Sequence, residues 1–392
     1  MKISYAWLER LLPGLPPPEE TARLLTMTGL EVESLAPWEA VRGGLAGVVV
    51  GHVQAVAAHP NADRLRLCTV DVGQGSPRQI VCGAANVAAG QHVLVVLPGA
   101  TIYPHAGEPL HIKEGKIRGE VSQGMICAED ELGLGTSHEG IWVLEGAPAP
   151  GTPAAAHLGL ETDVLFEIGI TPNRSDALSH YGVARDLAAA LARPLPPLPA
   201  TPAVAGSFGF PLEIRVDDPA ACPRYSAVAL RGLRVGPSPA WLRTALEKVG
   251  QRSINSVVDV TNYVMWEMGQ PLHAFDGAQI EGGRLQVRAD LPGGTPLRLL
   301  DGSEARLEPG DLAICDAENP LALAGAMGGR ESGVTEATVE IVLESAHFAP
   351  QAVRRAARRL GLHTQSAYRF ERGADPEATL PALRRAAALI LE

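Results

Sequence analysis

No stretch of this 392-residue chain holds the roughly 20 consecutive apolar residues that a membrane-spanning helix needs, so no membrane partner is expected. The first residues, MKISYAWLERLLPG, place Glu9 and Arg10 where a secretory signal would need an apolar core, so export is not expected either. Cysteine is sparse and scattered. Cys68, Cys82, Cys127, Cys222 and Cys315 form no CxxC pair, which argues against a zinc site and a disulfide framework and fits a reducing cytoplasm. Basic residues are outnumbered, with 33 Lys and Arg against 44 Asp and Glu, for a formal net charge of −11. Such a chain is poorly suited to coat nucleic acid through phosphate neutralisation, so any nucleic-acid role must come from local patches and motifs.

What is present reads as a soluble globular protein too long for one ordinary core. Two proline-rich stretches punctuate it, GAPAPGTP at 146–153 and RPLPPLPATPAVA at 193–205, the second reading as an extended linker. The expected layout is multidomain α+β. Residues 1–39 and 151–200 form one discontinuous N-terminal α+β domain, residues 40–150 an inserted β-barrel of the OB-fold type, and residues 206–392 a second α+β domain. In the inserted module, runs at 48–53, 65–72, 93–97, 112–117 and 141–144 suggest five short strands, with a bulge near Cys68 and Thr69. In the last module, Ser238 is expected to cap a helix whose apolar stripe is Leu242, Ala245, Leu246 and Val249. A second helix near 350–360 carries Val353, Ala356, Ala357 and Leu360 on one side and four arginines on the other. The final apolar helix has no stop signal, which suggests truncation.

Four ordered stretches carry a family resemblance. The chain opens with MKISYAWLERLLP. HPNADRL at 59–65, GAANV at 83–87 and RGEVSQGMIC at 118–127 follow in the barrel. ITPNRSD at 170–176 comes next, with YGVAR at 181–185. SIN at 253–255, DVTNY at 259–263, QPLHAFD at 270–276 and LAGAMGG at 323–329 complete the set. In this order they closely resemble the amino-terminal half of the bacterial phenylalanyl-tRNA synthetase β subunit. The barrel block alone also resembles tRNA-binding modules of other synthetases.

The resemblance implies a part of a heterotetramer of two α and two β subunits that charges tRNA(Phe), with ATP and magnesium bound elsewhere and no cofactor in this segment. It places an editing site of the B3/B4 type in residues 206–392, where mischarged tyrosyl-tRNA(Phe) would be hydrolysed. A second site of this kind is needed because an apolar phenylalanine pocket rejects an added hydroxyl only about a hundredfold. The family pattern falls on His273, Thr261 and Asn262 as catalytic or water-positioning residues, and on Glu344, Gly325, Gly328, Arg252, Thr364 and Ser366 as substrate contacts. Glu344, within Ile-Val-Leu-Glu-Ser, is expected to be partly buried and to accept a tyrosyl hydroxyl or amine, or else to pair with a nearby arginine. Thr261 and Asn262 could equally cap a helix starting there. Lys113, Lys116 and Arg118 are the expected weak tRNA contacts on the barrel. Gln365 and Tyr368 replace the family's usual acid and histidine, which keeps open a tRNA-binding scaffold with an inactive pocket.

Overall fold

The structure, a computed structural model, describes residues 1–198 and 209–392; the second part of the proline-rich linker lies outside the described residues. The chain divides into two compact units, one of residues 1–36 with 164–392 and one of residues 37–163.

In the first unit, β1 (Lys2–Ser4), α1 (Tyr5–Leu11), α2 (Pro18–Met27) and β2 (Glu31–Glu39) open the chain. The second unit holds β3 (Val48–Ala58), β4 (Arg66–Asp71), β5 (Arg78–Cys82) and β6 (His92–Val96). The short strands β7 (Thr101–Ile102), β8 (Leu110–His111), β9 (Gly115–Ile117), β10 (Glu120–Ser122) and β11 (Met125–Ile126) and helix α3 (Ala154–His157) follow. The main sheet runs β11-β6-β3-β4-β5, and its edge strands β11 and β5 come back beside one another, making a nearly closed barrel. The stretch at 141–144 is no strand, its backbone pairing with the sheet, among the described residues, only at an isolated Val93–Val143 bridge. Strands β5 and β11 take the places that composition alone did not mark. The bulge lies on β3, between Val53 and Ala55, opposite Val70 and Thr69.

The first unit resumes with β12 (Thr162–Gly169) and α4 (His180–Ala190), the latter capped by Ser179. Next come β13 (Glu213–Val216), β14 (Arg224–Arg231), α5 (Ala240–Lys248), α6 (Ser256–Met268) and β15 (His273–Asp276). Then follow β16 (Arg284–Arg288), β17 (Thr295–Arg298), β18 (Glu304–Leu307), β19 (Ala313–Cys315), β20 (Pro320–Leu323), β21 (Met327–Gly328) and β22 (Glu340–His347). Three helices end the chain, α7 (Pro350–Leu360), α8 (Gln365–Phe370) and α9 (Thr379–Leu391). Two sheets matter for the site, the five-stranded β13-β16-β19-β20-β21 and the three-stranded β14-β22-β15.

Ser238 does not cap α5. Its hydroxyl donates to Asp259 at 2.5 Å, and Pro239 occupies the cap. Helix α6 begins at Ser256, where Asn255 accepts from the Val257 and Val258 amides, and it stops at Gly269, whose φ of +86° is a left-handed cap. Thr261 and Asn262 therefore lie inside a helix and cap nothing. In α7, Val353, Ala356 and Ala357 face the core, as their spacing predicts, while Arg354, Arg355 and Arg359 bond to neighbouring segments. The unit is knit together at Trp7. Its ring stacks on His180 at 3.9 Å and on Tyr263 at 4.6 Å between ring centres.

Candidate active site

Strand β22 runs up the middle of the three-stranded sheet and is buried along almost its whole length. A strand buried on both faces tolerates a carboxylate only if that group finds a partner. Glu344 finds two neighbours on its own face. His273 on β15 stands directly opposite it, and Tyr225 on β14, paired with Ala346, lies diagonally across. The Tyr225 hydroxyl donates to Glu344 Oε2 at 2.8 Å. The carboxylate's partner is thus a phenol and not an arginine. Burial pushes the Glu344 carboxyl up to about 7, while the Tyr225 hydrogen bond pulls it partly back.

His273 is delivered by a short rigid approach. After Gly269 ends α6, the buried Gln270 donates to the carbonyls of Ala346 and Pro271, which fixes the turn into β15. The ring packs edge-on against Phe275 at 4.5 Å. Its Nε2 is shut away from solvent and has no partner among the described residues. Burial pushes this imidazole down to about 4, so it is neutral at pH 7.

His273 and Glu344 line a cleft of about 60 Å³ whose wall also includes Gly325, Met327, Gly328, Phe348, Ser366 and Phe370. Two glycines shape it. Gly325 sits at φ +71°, and a Cβ there would meet Val353, Phe348 and Phe370 within 2.8–3.1 Å. A Cβ on Gly328 would drive into the His273 ring, 2.8 Å from Nε2. Thr364 stands behind the wall. Its hydroxyl caps α8 through the Ala367 amide and donates to the Ala326 carbonyl at 2.8 Å, tying helix to loop.

His273, Glu344, Gly325, Gly328 and Ser366 thus come together, with Thr364 one layer out. Thr261, Asn262 and Arg252 lie outside the cleft wall. The Thr261 hydroxyl donates back to the Val258 carbonyl within α6. One turn on, Met265 meets the Ser366 hydroxyl at 3.9 Å. Arg252 is exposed on a loop that Asp259 holds by accepting from Ser253 and the Ile254 amide. Among the described residues, no group of three or more His, Cys, Asp or Glu side chains could hold a metal ion.

In the barrel unit, Lys113, Lys116 and Arg118 are all exposed, Lys116 on β9 and Arg118 in the turn to β10 with φ +52°. The buried His59 anchors this hairpin from Nε2 to the Ile117 carbonyl at 3.1 Å, and the Asn61 amide holds the Arg118 carbonyl at 3.1 Å.

The tRNA-binding domain family matches residues 48–153, and the B3/4 domain family matches residues 221–392. The phenylalanine–tRNA ligase β subunit of Porphyromonas gingivalis is 52% identical over all of this chain and 48% of its own length. The β subunit of Bacteroides fragilis is 46% identical over the same shares. Over its whole length the chain is similar to phenylalanine–tRNA ligase β subunits. It spans about half the length of the curated relatives it matches. A crystal structure of an N-terminal fragment of the phenylalanyl-tRNA synthetase β subunit from Pyrococcus horikoshii superposes at a TM-score of 0.27, with 16% identity over 51% of this chain and 62% of that one, too loosely to position residues.

Sequence reasoning missed Tyr225 and the Phe348–Phe370 wall, while Gln270 lies in the turn that its motif marked ahead of His273. A buried carboxylate demands a donor, which was a signal for Tyr225, but Tyr225 is 119 positions away and only the strand order brings it in.

Proposed function

We propose that this chain is the portion of a phenylalanine–tRNA ligase β subunit that removes tyrosine wrongly esterified to tRNA(Phe). The observation that carries the reading is the Tyr225–Glu344 contact, because a phenol hydroxyl already rests on a buried carboxylate in the cleft wall. The second oxygen, Oε1, has no hydrogen-bond partner among the described residues and is the acceptor for a substrate hydroxyl. Phenylalanine offers no such hydroxyl and would leave Oε1 desolvated and unpaired, which is how a polar site discriminates strongly where an apolar one cannot.

At about 4 the His273 imidazole is too weak a base to hold a proton at neutral pH, so its role is to orient water or the terminal ribose. Ser366 offers a hydroxyl on the same wall. The attacking group is a positioned water, with the substrate's own ribose hydroxyl or amine assisting. Thr261, Asn262 and Arg252 would act from α6 and its preceding loop, on the parts of the tRNA end outside the cleft.

In the same reading residues 40–150 form an OB-fold inserted into an N-terminal domain, and Lys113, Lys116 and Arg118 meet tRNA. The chain works in the cytoplasm in a heterotetramer with α subunits, and the ATP and magnesium needed for aminoacylation bind outside this chain.

One observation favours a second reading, a tRNA-binding scaffold with a silent pocket. A cleft of about 60 Å³ is small beside the several hundred Å³, roughly 300–1,000 Å³, of pockets that usually bury a ligand. Incubating the chain with tyrosyl- and phenylalanyl-tRNA(Phe), with Glu344→Ala as control, separates the two. Selective loss of the tyrosyl ester, weakened in the mutant, supports editing. Loss no faster than the spontaneous rate, in this chain and in the assembled enzyme, supports the scaffold.

A further inference from the structure

We propose that Tyr225 is a specificity-positioning residue of the cleft, whose hydroxyl clamps one oxygen of Glu344 so that the other is held as a fixed, anionic acceptor for a substrate hydroxyl. The inference rests on the editing reading and assigns a role to a residue that would not itself touch the substrate.

The geometry is cross-strand. On β14, β22 and β15 three polar side chains share one face, Tyr225, Glu344 and His273, with the carboxylate in the middle. Only one of its oxygens is bonded, Oε2 to Tyr225 at 2.8 Å. A carboxylate bonded at one oxygen has lost its freedom to rotate, so the free oxygen points one way. The titratable groups that face Glu344 are the Tyr225 phenol from β14, the His273 imidazole from β15 and the Cys222 thiol just before β14. Cys222 is pushed up to about 12, by burial first and by the Glu344 carboxylate second, so it stays neutral. Burial holds His273 neutral too. No cation is among these groups, and the Tyr225 hydroxyl is the hydrogen-bond donor that favours the charged form of Glu344.

The protonation state decides what the cleft recognises. An ionised Glu344 only accepts, and demands a hydroxyl from its guest. A protonated Glu344 can turn its own O–H outward or inward and tolerates a guest without a donor. Removing the clamp therefore shifts the cleft from the first state toward the second at neutral pH. A Phe at 225 keeps the ring and the packing and deletes only the clamp.

The test measures deacylation of tyrosyl- and phenylalanyl-tRNA(Phe) from pH 5.5 to 8.5 by the enzyme carrying Tyr225→Phe, beside wild type and Glu344→Gln. The expected result is a rise of the pH midpoint for tyrosyl ester loss by about one unit, a roughly fivefold lower rate near pH 7 and recovery toward wild type at pH 8.5. Selectivity over the phenylalanyl ester falls with it near pH 7. A purely structural role would lower the rate at every pH and leave the midpoint in place, and that outcome overturns the inference while editing stands. If wild type does not deacylate at all, the editing reading fails by itself. The clamp is then judged from the pH midpoint at which Glu344→Gln and wild type diverge in urea stability, with and without Tyr225→Phe. An unmoved midpoint there refutes the clamp as well.

Discussion

The cleft holds two buried groups that titrate in opposite senses, and their effects on stability should oppose each other across mildly acid pH. Glu344 moves from an ordinary 4.5 up to about 7 on folding. Between those values the folded state holds a proton that the unfolded state has released. Its contribution is therefore fully present below pH 4.5 and is lost as pH rises through 7. His273 moves from 6.5 down to about 4, so its contribution is present above pH 6.5 and is lost as pH falls through 4. At about 1.4 kcal/mol per pH unit, each span corresponds to about 3 kcal/mol, less for His273 because the residue as a whole is only half-buried. From pH 4.5 to 6.5 the two slopes oppose, and wild type shows little net dependence from this site.

Single substitutions unmask them. Urea unfolding followed by circular dichroism between pH 4.5 and 8 gives the stability difference from wild type at each pH, which cancels groups common to both proteins. Glu344→Gln should gain on wild type by about 3 kcal/mol as pH rises from 4.5 to 8. His273→Asn should gain on wild type as pH falls from 6.5 toward 4.5. Differences that stay constant with pH, or that share one sign of slope, would refute the burial argument for both groups.

Three further outcomes follow from the same contacts. Gly325→Ala forces a Cβ onto Val353, Phe348 and Phe370 at a left-handed φ and should lower the urea midpoint by an amount equal to about 2–4 kcal/mol, with the slope of the transition unchanged. Thr364→Ala removes the cap of α8 and the tie to Ala326, and should cost about 1–2 kcal/mol in the same assay. Lys116→Ala with Arg118→Ala should weaken tRNA binding by filter retention and reduce the slope of log affinity against log salt by about 1–2; an unchanged slope would move the tRNA contact away from this hairpin.

How much of this was legible depends on how local each signal is. Helix α7 could be read because its apolar and basic faces repeat at helical spacing inside eleven residues. Both ends of α6 were signalled by Asn255 and Gly269, yet the β-branched run Val257-Val258-Asp259-Val260 draws the eye to a helix start near Thr261, five residues late. Glu344 stood out because an acid among Ile, Val and Leu needs a reason. Its partner did not, because a diagonal pair across β14 and β22 exists only once strand order and register are known. The stretch at 141–144 misleads for the opposite reason. Ile141 and Leu144 fill the barrel core, while the backbone meets β6 only at the Val93–Val143 bridge and bonds at Ile141 to the Asn86 side chain.

The same geometry explains why this cleft can lack a nucleophile and a strong base and still serve as a hydrolase. An aminoacyl ester is already labile in water, so correction of an error requires selection of the wrong ester more than a large acceleration of its cleavage. In the proposed editing reading, selection would come from the wall, through a buried carboxylate fixed at one oxygen, a neutral imidazole opposite it, and glycines where any side chain would fill the space. The size of the cleft then becomes a matter of which wall can yield. Phe348 and Phe370 are fully packed and brace each other at 5.2 Å. Met327, half-buried at the edge of β21 with three rotatable bonds, can change shape at least cost. Entry of a phenol ring should therefore proceed by displacement of Met327, with the Tyr225–Glu344–His273 row unmoved. Met327→Val would widen the entrance, raise the rate for both esters together and leave their ratio to Glu344.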